Sequence, residues 1–168
     1  MPQQHDERIM ESALGRFPSG LYLMTSGFDG QRGGMLVYSV QRCGDEPALL
    51  CVAARKGHSI DPLIRDSRAF ALGVLGDGDR LIQRRFQGSD SIPSENGPAQ
   101  RDDPFDAIEL TTLGTGSPII PRCRTWFDCE VVRRVDLEAE MELFVGMVVG
   151  VLHDGQRVII DPEEDGTD

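Results

Sequence analysis

The chain has 168 residues and a mass of 18.5 kDa, the size of one ordinary domain. Hydrophobic residues make up 39% and charged ones 27%, which excludes a wholly disordered chain. A formal charge of -11, from 17 Lys plus Arg against 28 Asp plus Glu, repels phosphate backbones and anionic headgroups, so neither nucleic acid nor a membrane surface is an expected partner.

In chain order, Ile9, Met10, Ala13, Leu14 and Phe17 at helical spacing predict a helix over residues 8–17, which Pro18-Ser19-Gly20 ends. Residues 20–26 read as a strand and 35–40 as its return, with Gly27 to Gly34 as the hairpin connection. Residues 48–54 form a continuous apolar run suited to a strand covered on both faces. Residues 58–68 read as a helix with Ser59 as N-cap and Pro62 in its first turn. Residues 70–75 are a strand. Residues 79–86 are a helix with Leu81, Ile82 and Phe86 on its apolar side.

The polar stretch 87–104 reads as a long mobile loop, either a lid or a plain insertion. Residues 126–133 and 143–152 are two further strands, with a solvated acidic turn over 135–142. Residues 161–168 are an acidic tail expected to fray, which leaves 1–160 as the folded domain. Six or so antiparallel strands with two or three helices, and no strict alternation, predict a mainly β fold: a closed or split β-barrel.

No apolar run approaches the ~20 residues that span a bilayer, and Met1–Arg8 lacks the pattern of a secretory signal. The expected compartment is the cytoplasm, with Cys43, Cys51, Cys123 and Cys129 as reduced thiols. Their spacing matches no zinc pattern and His5, His58 and His153 are scattered, so no metal is expected. There is no Ser-His-Asp arrangement, no GxGxxG after a strand and no P-loop. The sharpest chemical feature is Arg55-Lys56, which ends an apolar strand just before Gly57 and a helix start. Two cations beside backbone amides make an anion site in a chain otherwise acidic. The competing reading is that both merely pair with Asp61 or Asp66.

Five stretches in order resemble the flavin reductase-like family, the FMN-binding split barrels, including their flavoredoxin-like branch. They are RFPSGLYLMTS at 16–26, GGMLVYSVQRCGDEP at 33–47, the run from Leu49 to Leu75, FDCEVVRRV at 127–135 and LFVGMVVGV at 143–151. The resemblance implies a homodimer that holds FMN, less often FAD, in a groove at the subunit interface. It places Ser19, Met35, Leu36, Val37, Tyr38, Ser39 and Gln41 along the flavin ring and ribityl chain, and Arg55, Lys56 and Ile60 near the phosphate. NAD(P)H is the implied electron donor, and no catalytic side chain is implied, the hard chemistry being the cofactor's.

This chain departs from the family pattern in places. Ala48 stands for the second proline of a Pro-Pro pair and Gly73 for an asparagine. Ala139-Glu140-Met141 replaces Gly-Asp-His, whose histidine helps place the nicotinamide in many reductases. The expected function is therefore an FMN-binding flavin reductase or flavoredoxin-like electron carrier. The alternative is a split-barrel module that binds flavin or another small ligand and has lost the NAD(P)H site.

Overall fold

The computed structural model describes residues 2–87 and 103–160. The expected 87–104 loop, apart from its ends, and the acidic tail 161–168 lie outside the described residues. The elements are α1 (Pro2–Leu14), β1 (Tyr22–Phe28), β2 (Gln31–Val37), β3 (Ser39–Asp45), β4 (Ala48–Arg55), α2 (Asp61–Ser67), β5 (Ala69–Val74), α3 (Arg80–Phe86), β6 (Thr125–Asp136), β7 (Met141–His153) and β8 (Gln156–Ile159). All strands pair antiparallel, in the order β2-β1-β5-β6-β7-β4-β3, with β8 added on β7. The two end strands, β2 and β3, are chain neighbours separated only by Tyr38. A sheet whose free edges start from one residue has to curl back on itself, so the barrel is split along the β2–β3 seam.

Strand alternation builds two cores. Met24, Val52, Phe70, Leu72 and Phe144 fill the barrel interior. Leu23, Ala71 and Trp126, on the other face, are covered by Ile82 and Phe86 of α3 and by Phe105, Ile119 and Ile120. Trp126 Nε1 donates to the Ile120 carbonyl at 2.8 Å, which satisfies the indole N–H where it is buried. Buried Asp128 accepts from the Thr115 amide at 2.8 Å and so ties the 114–117 turn to β6.

Several sequence expectations are corrected. The first hairpin turns at Asp29-Gly30 alone, both at positive φ, and Gly33 and Gly34 lie within β2. Gly34 is required there because a Cβ would stand 2.6 Å from the Phe86 ring. The N-terminal helix is Pro2–Leu14, ending at Gly15 rather than reaching Phe17. Helix α2 is shorter than expected, and its N-cap is Ile60, not Ser59. The Ile60 amide instead donates to His58 Nδ1 at 3.1 Å.

Leu81 is exposed, not on the buried side of α3. β4 is not covered on both faces: Leu49, Cys51 and Ala53 are only half-buried. The expected acidic turn is confined to residues 137–140. Glu142 belongs to β7 and is buried, because Arg134 reaches both its oxygens at 2.6 and 3.0 Å. The eighth strand follows a tight turn at Asp154-Gly155, both at positive φ, a pair that favours such hairpins.

Candidate functional site

At the seam a cavity of about 190 Å³ is lined by Met35, Leu36, Val37, Tyr38, Ser39 and Arg55. Ala53, Phe86, Gln87 and Met141 complete it. The seam position explains the chemistry. Among the described residues β2 pairs only with β1, so its other edge presents backbone N–H and C=O groups with no strand partner there. The Met35 and Val37 side chains point into the barrel core and are buried, so these residues offer the cavity their strand edge more than their side chains. Leu36 packs toward the second core, and Tyr38 is exposed at the junction of the two strands. The Gly20 amide donates to the Tyr38 carbonyl at 3.0 Å, which fixes the seam's corner.

Arg55 ends β4 beside this edge, and its guanidinium has no hydrogen bond or ion pair among the described residues. Lys56, one residue on, is committed elsewhere. Its ammonium pairs with Asp136, the last residue of β6, its amide donates to the Glu140 carbonyl at 3.0 Å, and its side chain is 32% exposed. That hydrogen bond holds the Asp136 carboxyl below its ordinary range. The partner is thus neither Asp61 nor Asp66. Asp61 meets Arg134 at 2.8 Å instead.

Six of the ten residues singled out from the sequence therefore gather in one cavity: Met35 to Ser39 and Arg55. Four do not line it. Ile60 is packed into the barrel interior. Ser19 and Gln41 are exposed on either side of the seam. Lys56 is held in its ion pair. The seven-residue helix α2 has no side-chain cap, and a carboxylate, Asp61, opens its first turn, which disfavours an anion there.

Besides Ala53 of β4, three residues of the cavity come from the fold alone. Phe86 arrives from α3 and packs edge-to-face on Phe105, with ring centroids 5.0 Å apart. Gln87 follows it. Met141 enters because β7 sets it directly opposite Arg55. The cavity thus has an apolar end, a hydrogen-bonding strand edge and one unpaired cation, the set of groups that a flat heteroaromatic ring with a phosphate tail requires.

Beside the cavity the outer sheet face is apolar. Leu49, Cys51 and Ala53 of β4 lie opposite Met147, Val145 and Leu143 of β7, and all are half-buried. Among the described residues no group of side chains is placed to hold a metal ion, and no helix is long and apolar enough to cross a membrane.

Residues 14–159 match the model of the flavin reductase like domain family. The chain is 30% identical over 138 residues to an FMN reductase (NADH), RutF, of Pantoea ananatis, covering 79% of this chain and 68% of that protein. It is 28% identical over 127 residues to diflavin flavoprotein A 1 of Synechocystis, covering 76% of this chain but only 21% of that longer protein. Among solved structures it superposes on a nitrilotriacetate monooxygenase component B from Mycobacterium thermoresistibile with a TM-score of 0.70 at 21% identity, covering 99% of this chain and 93% of that one.

Proposed function

This chain belongs to the flavin reductase-like family, and on that premise we propose that it is an FMN-binding oxidoreductase of the cytoplasm, working as a homodimer. FMN is preferred to FAD, and a reduced nicotinamide nucleotide is the electron donor. The observation that carries this reading is the seam cavity, where a free strand edge and the unpaired Arg55 guanidinium meet.

A bound flavin supplies the two-electron chemistry, and the chain supplies position. The backbone groups along the β2 edge suit the polar rim of the ring, and the Ser39 hydroxyl, which lines the cavity, is the donor this reading gives to the ribityl chain. Arg55 answers the phosphate with a planar fork of donors. Phe86 and Met141 exclude water from the reacting face.

One chain's cavity, about 190 Å³, falls below the roughly 300 Å³ at which small-molecule sites begin. A second copy seated on the half-buried β4–β7 face would deepen it, and this supports the homodimer. Four cysteines without a disulfide support a reducing compartment. Residues 1–160 form the folded domain of this reading, with 161–168 as an appended tail.

Met141 favours a second reading. It brings a thioether to the cavity, where the family pattern carries an imidazole, and so offers a nicotinamide no hydrogen-bond partner. On this reading the protein binds flavin without using NAD(P)H. Anaerobic titration of the FMN-loaded protein decides between them. Bleaching of the flavin absorption by NADH or NADPH supports the reductase. A stable yellow complex that ignores both supports the binding module, and failure to take up FMN overturns both.

A further inference from the structure

A chain of net charge -11 concentrates four arginines around one cleft of about 250 Å³. Arg65 and Arg68 come from the end of α2, Arg133 and Arg134 from β6, and the apolar lining is Val131 and exposed Val132 over the buried Ile64 and Phe144. The cleft shares no lining residue with the seam cavity.

The four cations are not equally committed. Arg134 is neutralised by Glu142 and Asp61, and its guanidinium lies over the Phe144 ring at 5.3 Å, so it is a fixed wall and not a free charge. Among the described residues Arg65 has only a loose contact with exposed Asp66, at 3.5 Å. Arg68 and Arg133 have no hydrogen bond or ion pair to their guanidiniums among the described residues. Glu130 lines an adjoining cleft with Arg68 without an ion pair to it.

The backbone holds the two free arginines in place. Arg68 caps α2 in the left-handed conformation, its amide donating to Ile64, and its carbonyl accepts the Val131 amide at 2.9 Å. Arg133 follows the irregularity in β6 between Val131 and Arg133, and such a bulge re-aims the side chains beyond it. Like charges brought together on rigid backbone repel each other, and an anion between them removes that cost.

We propose that this cleft is a second ligand site, for an organic di- or polyphosphate whose charge lies between Arg68 and Arg133 and whose apolar part rests on Val131 and Val132. Two forks of guanidinium donors match phosphate oxygens geometrically, and the apolar floor gives a base or ring the contact that inorganic phosphate lacks. The site does not depend on what the seam holds.

Isothermal titration of the full chain with ADP, with adenosine as the comparison, tests it. The expected result is one ADP per chain, bound more tightly than adenosine and weakened by added salt. R68Q/R133Q should lower the ADP affinity about tenfold or more and leave FMN uptake unchanged, while R55Q should leave ADP binding as it was. Absence of ADP binding by the unaltered protein overturns the proposal. So does equal affinity for ADP and adenosine, or ADP binding that survives R68Q/R133Q but is lost in R55Q.

Discussion

Arg55 and Met141 stand directly opposite each other across the β4–β7 ladder, and both line the seam cavity. The neighbouring cation, Lys56, is turned away and paired with Asp136. An adjacent pair of cations is thus divided between two tasks by strand alternation, one facing the cavity and the other bracing the β6–β7 turn.

R55Q is therefore expected to weaken FMN binding about tenfold, since a charge-assisted bond to phosphate contributes on the order of 1.5–3 kcal/mol. K56Q is expected to change it less than about threefold, because its partial exposure and its pairing leave it little to give. Quenching of FMN fluorescence on titration with each variant measures both. Equal losses in the two variants would move the phosphate away from Arg55.

G34A should act at a distance on the same cavity. The added methyl would stand 2.6 Å from the Phe86 ring, which lines the seam and packs on Phe105. Displacing a buried aromatic ring costs about 1–3 kcal/mol, so a lower urea midpoint with an unchanged slope is expected, together with weaker FMN uptake. A variant as stable as the parent would show that α3 yields easily.

Asp128 makes stability depend on pH in an unusual direction. Burial pushes its carboxyl above its ordinary value of 3.8, against the hydrogen bonds from Thr115 and Gly114 that favour the charged form. The folded protein then holds this proton more tightly than the unfolded chain does. The contribution is fully present below the unfolded value and is lost as pH rises through the folded one. D128N removes that titration, so its stability relative to the parent should rise across this window in urea unfolding at stepped pH. D128A should instead cost about 1–3 kcal/mol, because the Thr115 donors lose their acceptor.

The cysteines should separate cleanly by reactivity. Cys43 is exposed and Cys51 half-buried, whereas Cys123 and Cys129 are buried. Burial, with Asp79 adding to it, pushes the Cys123 thiol up to about 12, and burial raises Cys129 as well. With Ellman's reagent, Cys43 should react first and Cys51 more slowly. Cys123 and Cys129 should react only in denaturant, as C43S and C51S variants would show by losing the early phases.

Much of the fold was legible before any coordinates. Alternation and helical spacing located most strands and all three helices; for the strands, α2 and α3 the period comes from burial of one face, whereas the apolar residues of α1 (Ile9, Met10, Leu14) are exposed. The eighth strand was missed, although the Asp154-Gly155 pair before it is a hairpin signal. Of the seam, Met35 to Ser39 could be named from the family resemblance carried by residues 33–47, and Arg55 from its place as a cation ending an apolar strand. Phe86, Gln87 and Met141 could not, because they reach the cavity from elements distant in the chain.

Read alone, the sequence settled the element types and the acidic surface, which are properties of near neighbours along the chain, and its family resemblance marked the stretch that borders the cavity. Only the tertiary structure decided which cations are free. Lys56 is claimed by Asp136 and Arg134 by Glu142 and Asp61, while Arg55, Arg68 and Arg133 have no such partner among the described residues. Coulombic pairing depends on separation in space, and strand pairing brings together charges as many as 80 positions apart.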